Sequence, residues 1–446
     1  MRAPGGDSLR DTSVGLVTSD WEMGVVGDFV AALQAGVSVN AVETDTGCAQ
    51  GEVGVLKTSA VLRGKFFPAQ HKIVVPEDVN RVATSVVADR IIISRMNTPA
   101  LVGESGYVTA DEPNLFLPDR LWQTEPSPRP HSQRWLAYWL QHSSIRRLIA
   151  SGATGTSNSM KNISKETVLS LPIPRTPLPE QQRIAAILMA LDDKLDVIAR
   201  QIEATQTLKQ GLMQTLFSRG VGANDADGRW VPHAEFKDCE LGTIPAAWSV
   251  SSIGSLFEVV ERAIRMADEQ SYRRVTVKRR YGGIELRDEQ RGSDIKVKSQ
   301  FALEAGDFLI SERQIVHGAC GIVPSWLAGA LVSNEYLVLK AKPSVDVRYF
   351  NYLVQQLKYA KYFMLCSQGV DIEKFLFKPK DWLKKLVPVP PVVEQARIAD
   401  VLATADEKLN ALSAKQNELQ QVKRGLMQKL LTGEWRVSVD ASAAGT

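Results

Sequence analysis

The sequence predicts an α+β fold: two globular regions separated by two long helices that pair as an antiparallel coiled coil within a pseudo-twofold internal repeat. Three observations predict it. One helical segment occurs twice without gaps, both copies carry an apolar seam in steps of three and four, and short β-rich runs fill the intervals between them.

The repeat comes first because it sets the plan. Residues 180–218 align with 394–432 at an offset of 214, with 16 identities in 39 positions. The strongest blocks are Glu180-Gln181-x-Arg183-Ile184-Ala185 against Glu394-Gln395-x-Arg397-Ile398-Ala399, and Gly211-Leu-Met-Gln214 against Gly425-Leu-Met-Gln428. Upstream landmarks recur in the same order. Trp21 precedes Gly27 as Trp248 precedes Gly254. An apolar Ser-containing strand and a G-x-x-G turn follow, IIISR (91–95) with Gly103–Gly106 and FLISER (308–313) with Gly318–Gly321. Pro172-Ile-Pro174 and Pro388-Val-Pro390 then lead into the helices.

The domain plan follows in chain order. Residues 1–18 are small and polar and are expected to be a flexible tail. Residues 19–172 form the first globular region, 173–220 the central helix, 221–247 a Gly-, Asp- and Pro-rich linker, 248–388 the second globular region, 389–435 the C-terminal helix and 436–446 a second flexible tail. Strands are expected at 54–62, 90–95, 273–280, 306–313 and 336–341, and shorter helices at 132–151 and 347–365.

The seam residues expected to pack the long helices are Leu188, Leu195, Ile198, Ile202 and Leu212 in the first, and Leu402, Leu409, Leu412, Leu419 and Leu426 in the second. No proline interrupts either segment, and Pro179 sits just before the first, as helix starts tolerate. Gly211 and Gly425 are anomalous, because glycine inside a helix costs about 1 kcal/mol relative to alanine. Two readings stand: close approach of the two helices at that level, or a loosened helix end. Charges nearly cancel on each helix, four Lys/Arg against five Asp/Glu in 180–218 and six against five in 394–432. The helices therefore read as spacers and docking surfaces rather than a grip on a polyanion.

Composition bounds the function. The 446 residues are 44% hydrophobic, enough to bury real cores, and the formal charge is only +3. A nucleic-acid partner would need local positive charge. The four cysteines, at 48, 239, 320 and 366, make no C-x-x-C pair and suit a reducing cytoplasm. No signal peptide is visible and no apolar run approaches the roughly 18 residues that span a bilayer. A cytoplasmic protein with no membrane partner is expected.

Local positive charge does occur. Residues 271–280 hold five Lys/Arg and no acid, and strand alternation would present Arg273, Arg274, Lys278, Arg279 and Arg280 on a basic ribbon with Tyr272 and Tyr281 at its ends; Arg313 is a further candidate. Arginine forks read guanine edges and either cation holds phosphate. Candidates in the first region are thinner: Lys57, Arg63, Lys65, Arg95 and Lys161. Catalytic signatures are missing. There is no phosphate loop, no G-x-G-x-x-G opening a helix, no Asn/Asp-Pro-Pro-aromatic motif of adenine methylation, and no H-x-x-x-H metal pair. Neither a catalytic residue nor a metal site is expected.

These motifs resemble the specificity (S) subunit of type I restriction-modification enzymes. The resemblance is carried by Pro172-Ile-Pro174 with Leu178-Pro-Glu-Gln-Gln-Arg-Ile184, by Lys209-Gln-Gly-Leu-Met-Gln214, by Phe236-Lys-Asp-Cys-Glu-Leu-Gly-Thr-Ile-Pro245 running to Trp248, and by the second copies at Glu394-Gln395 and Lys423–Gln428. It implies that each globular region is a target recognition domain reading one half of a bipartite, asymmetric double-stranded DNA site. It implies that the helices set the gap and dock methyltransferase (M) subunits, with restriction (R) subunits joining. S-adenosylmethionine, ATP and Mg would then belong to those partners, and no cofactor to this chain. The competing reading is a coiled-coil scaffold that bridges proteins without touching DNA; it leaves the basic ribbon and the doubled globular regions unexplained.

Overall fold

The computed structural model describes residues 9–44, 51–155, 159–224, 227–372 and 375–439. Both long helices form, as Leu178–Arg219 and Val392–Leu431. The chain divides into two compact units, and the division falls within the helices rather than in the linker. One unit holds Met1–Ala199 with Lys415–Thr446, the other Arg200–Ala414. Each unit thus owns a globular region, the start of one helix and the end of the other.

In the first unit two sheets make the globular region. One runs in the order Ser85–Val86, Glu112–Phe116, Gly54–Leu56, His71–Val74, Ala41–Glu43; the other Val30–Ala35, Leu121–Pro126, Ile91–Ser94, Ser105–Tyr107, Gly64–Phe66, Val61–Leu62. In the second unit the orders are Gln300–Ala302, Leu331–Ser333, Ser271–Val277, Ile284–Arg291, and Phe257–Val259, Tyr336–Ala341, Phe308–Ser311, Cys320–Ile322. The topologies correspond strand for strand over four positions of each sheet. In both units one pairing of the first sheet is parallel, Glu112–Phe116 with Gly54–Leu56 and Leu331–Ser333 with Ser271–Val277.

The repeated landmarks have physical causes. Trp21 and Trp248 are both 1% exposed and anchor the core of their own unit. Six residues on, a Cβ at Gly27 or Gly254 would meet the carbonyl oxygen of Leu169 or Leu383 at 3.3 Å, so close backbone approach selects glycine. The Pro-x-Pro segments are edge strands, where a missing N–H is tolerated. Pro172–Pro174 pairs with Met23–Val25, and Leu386–Val389 with Ser249–Ser252. Gly106 of the first G-x-x-G turn is similarly forced, because its Cβ would lie 2.4 Å from the Lys65 carbonyl oxygen.

The antiparallel helix pairing is visible inside each unit. In the first, Ile184, Ala185 and Leu188 share a core with Leu426, Leu430 and Leu431. In the second, Leu212, Leu216 and Phe217 share one with Ile398, Ala399 and Leu402. Leu188, Ile198 and Leu402 are buried; Leu195, Ile202, Leu212, Leu409, Leu412, Leu419 and Leu426 are half-buried. A polar lock accompanies the packing. Asp192 accepts hydrogen bonds from Lys423 Nζ at 2.6 Å and Tyr138 Oη at 2.7 Å, with the lysine over the tyrosine ring. The second unit repeats it: Asp406 accepts from Lys209 Nζ at 2.5 Å and Tyr352 Oη at 2.7 Å. All three positions are related by the offset of 214.

The helix starts are locked too. Glu394, 2% exposed, accepts from Trp248 Nε1 at 2.9 Å, the Val221 and Gly222 amides at 2.9 and 3.1 Å, and contacts His233 Nε2 at 3.0 Å. Glu180 instead takes both guanidinium arms of Arg436, at 2.8 and 3.1 Å.

Several sequence expectations are corrected. Residues 9–18 are not a loose tail: Leu9–Thr12 and Gly15–Thr18 form a hairpin whose Val14 and Val17 enter the core. At the other end Val437 is 8% exposed and Arg436 is engaged, so only 440–446 of that tail lie outside the described residues. Residues 1–8 of the first tail also lie outside them. The linker 221–247 includes the hairpin Phe236–Cys239 with Gly242–Pro245 and buries Ile244. The helices expected at 132–151 and 347–365 each break in two, into Gln133–Leu140 and Ser143–Gly152, and Val347–Leu353 and Leu357–Leu365. Apolar periodicity spans both breaks, which is why the sequence reads as continuous. Gly211 and Gly425 pack nothing: a Cβ at either meets no atom within 4 Å. Close helix approach at these glycines is therefore wrong, although both sit well inside their helices.

Candidate nucleic-acid interface

The basic run folds as the expected ribbon. Ser271–Val277 pairs antiparallel with Ile284–Arg291, with a bulge between Arg274 and Val275, and Lys278–Gly283 connects them. Val275 and Val277 alternate into the core, which turns Tyr272, Arg274 and Thr276 to the other face. Over residues 271–291 there are seven Lys/Arg and three Asp/Glu, a net of +4.

The facing strand neutralises part of that charge. Arg274 makes a bidentate pair with Asp288, at 2.8 and 2.7 Å, and Lys278 pairs with Glu285 at 2.5 Å. The arginine's hydrogen bonds hold the Asp288 carboxyl below the usual range. Arg273 braces a neighbouring loop through the carbonyl oxygens of Trp326 and Ala328, both at 2.8 Å. Arg279 Nε donates to Gln314 at 2.8 Å, and Arg313 lies 3.3 Å from Glu335. Tyr272 Oη accepts from the Ala267 amide and donates to Gln270. Tyr281 packs its ring against Gly318 and the core, and burial pushes its hydroxyl up to about 12, so structure is its first duty. Tyr272 and Arg273 also line an open cleft of about 390 Å³ with Arg265, Gln270 and Glu289.

The first unit gathers its candidates less tightly. Lys57 and Lys72 both pair with Glu43, at 2.5 and 2.9 Å, and hydrogen bonds from Lys57 and then Lys72 lower that carboxyl. Lys57, Lys72 and Arg120 line an open cleft of about 300 Å³. Lys65 is tied to Asp196 on the long helix. Arg95 and Lys161 lie beside and within the pairing of Met96–Asn97 with Lys161–Asn162; Arg95 donates to Asn162 at 3.4 Å and lies over Trp122, while Lys161 donates to the Gly155 carbonyl. Arg63 is exposed. Among the described residues, no cluster of three His, Cys, Asp or Glu is placed to hold a metal, and no helix is long and apolar enough to cross a membrane.

Sequence reading missed the locks that hold this surface: Asp192, Lys423 and Tyr138, and Asp406, Lys209 and Tyr352. It also missed Gln181 and Gln395, whose side chains accept from the Ser132 and Asp346 amides, both at 2.8 Å. Each is a polar identity at the repeat offset, and that was the available signal.

Comparison with known proteins agrees with the doubled architecture. The family model described as "Type I restriction modification DNA specificity domain" matches twice, at residues 18–206 and 245–423. A putative type I restriction enzyme MjaX specificity subunit of Methanocaldococcus jannaschii is 24% identical over 455 residues, covering 97% of each chain. The MjaVIII specificity subunit of the same organism is 25% identical over 287 residues, covering 62% of this chain and 65% of that one. The crystal structure of a type I restriction-modification S subunit from M. genitalium shares the fold, with a TM-score of 0.57 at 14% identity and coverage of 96% and 98%. With both of its halves matched, the chain belongs to the family of type I restriction-modification specificity subunits.

Proposed function

We propose that this chain, the non-catalytic specificity component of its family, reads a bipartite, asymmetric double-stranded DNA site. In doing so it directs adenine-N6 methylation or restriction by partner M and R subunits in the cytoplasm. The observation that carries the reading is one sheet topology built twice from dissimilar strand sequences, each copy packed with the start of one long helix and the end of the other. Two dissimilar surfaces on a shared frame suit two different half-sites, because sequence is read by side chains at base edges while the frame only positions them. The base-reading candidates are the ribbon with Tyr272, Arg273, Arg274, Lys278 and Arg279 in one domain, and Lys57, Lys65, Arg95 and Lys161 in the other. S-adenosylmethionine, ATP and Mg are assigned to the partners.

The test is co-expression with a cognate methyltransferase subunit and genome-wide detection of N6-methyladenine. A split consensus that appears with this chain and vanishes on its deletion supports the reading. Methylation unaffected by deletion overturns it and favours the scaffold.

A further inference from the structure

The two domains differ in sequence, yet each holds one arginine in the same unusual state at the same place. Arg63 lies in the connection from Gly54–Leu56 to His71–Val74, and Arg280 in the connection from Ser271–Val277 to Ile284–Arg291. These strand pairs occupy corresponding positions in the two sheets. Arg63 has φ 51° and Arg280 φ 59°; only Asp89 and Tyr281 share such values among the described non-glycine residues. Left-handed backbone costs a residue with a Cβ roughly 1–2 kcal/mol. Gly64 follows Arg63 directly and Gly282 lies two residues beyond Arg280, so glycine was at hand and arginine still occupies the strained position.

The same landmark holds both. The Arg63 amide donates to Glu104 Oε2 at 2.6 Å, within the Gly103–Gly106 turn. The Arg280 amide donates to the His317 carbonyl oxygen at 2.7 Å, and the next amide to that of Gly318, at the Gly318–Gly321 turn. Both side chains are exposed, and neither guanidinium has a partner among the described residues. Of the other ribbon cations, Arg273, Arg274, Lys278, Arg279 and Arg287 are braced by carbonyls, carboxylates or an amide; Arg291, at the far end of the ribbon, is exposed but lies outside the Gly318–Gly321 contact.

We infer that Arg63 and Arg280 are the paired phosphate anchors of the two domains, making the sequence-independent contact that seats each domain on its half-site. This rests on the DNA-recognition reading above. A feature kept alike in two surfaces that read different bases belongs to the part of DNA that is alike everywhere, its phosphate backbone. Base reading needs a fork held in register, as Arg273 and Arg274 are held; a mobile guanidinium on a rigid backbone suits a phosphate.

The experiment uses the full complex with methyltransferase subunits, carrying Arg63→Gln, Arg280→Gln, and Arg63→Lys or Arg280→Lys. Binding to duplexes with and without the methylated motif is measured across a salt series, and the consensus is sequenced. Each Gln variant is expected to weaken both duplexes about tenfold, to reduce the salt slope by about 1, and to leave the consensus unchanged. The Lys variants should recover most of the loss, since a point charge serves a phosphate but not a guanine fork. Unchanged affinity and slope in both Gln variants would overturn the anchor assignment, as would a consensus altered in one half-site. A wild-type complex that methylates no split motif would instead defeat the functional reading itself.

Discussion

The Asp192–Lys423–Tyr138 lock should carry measurable stability, and its twin in the other unit should carry less. Asp192 and Lys423 are each 19% exposed, so solvent screens the pair only partly. Exposed pairs are worth about 0–1 kcal/mol and loss of one partner of a fully buried pair costs about 3–5 kcal/mol. An intermediate position gives about 2 kcal/mol for Asp192→Ala, which also strands the Tyr138 hydroxyl. In a unit of roughly 200 residues that is a fall in Tm of about 4–8 °C in its own transition. Asp406, at 34% exposure against 18% for Lys209, should lose only about 1 kcal/mol. Calorimetry gives the transitions, and hydrogen exchange of Gln133–Leu140 against Val347–Leu353 assigns each to its unit. A double-mutant cycle of Asp192→Ala with Lys423→Ala should return a coupling of about 1–2 kcal/mol. A coupling below about 0.3 kcal/mol would refute the reasoning, because the loss would then come from packing rather than from the ion pair.

The open surroundings of Gly211 and Gly425 predict that Gly211→Ala and Gly425→Ala each stabilise by about 1 kcal/mol; a lowered Tm on calorimetry would show hidden packing. Glu394→Ala strands the Trp248 indole, the buried Gly222 amide and the half-buried Val221 amide, so the second unit should lose about 3 kcal/mol or more in urea titration, with Glu394→Gln losing less. His142 is buried and stacked 5.3 Å from Trp139, and burial lowers its pKa below 6.5. A depressed histidine binds its proton more readily in the unfolded chain, so this contribution is intact above pH 6.5 and is lost as pH falls below it. His142→Phe should flatten the decline in first-unit Tm between pH 6.5 and 5; an equally steep decline would assign the acid sensitivity elsewhere.

The legible parts of this fold were those with a period. A seam of leucines and isoleucines repeats every three or four residues whatever surrounds it, so both long helices form inside the expected 173–220 and 389–435, with starts five and three residues later and ends one and four residues earlier. Glycine and proline landmarks were legible because close backbone approach disfavours a Cβ at Gly27 and Gly254 and excludes one at Gly106, while the Pro-x-Pro segments lie on edge strands that tolerate a missing N–H. The breaks at Gln141–His142 and Val354–Gln356 were invisible, since no glycine or proline marks them and tertiary packing, not propensity, sets them. The basic ribbon was legible as a ribbon but not as a charge distribution. Its strongest cations meet Glu285 and Asp288 only across the ladder, a register that one strand cannot disclose. The helix locks, like the Gln181 and Gln395 contacts, were discoverable omissions. A solvated helix face drifts in sequence, and these helices diverge at most polar positions. Aspartate, lysine and tyrosine recurring at one offset were therefore already a statement that those side chains meet something specific. A lysine from one helix and an aspartate from the other, joined in each unit, make the antiparallel pairing a chemical requirement as well as an apolar one.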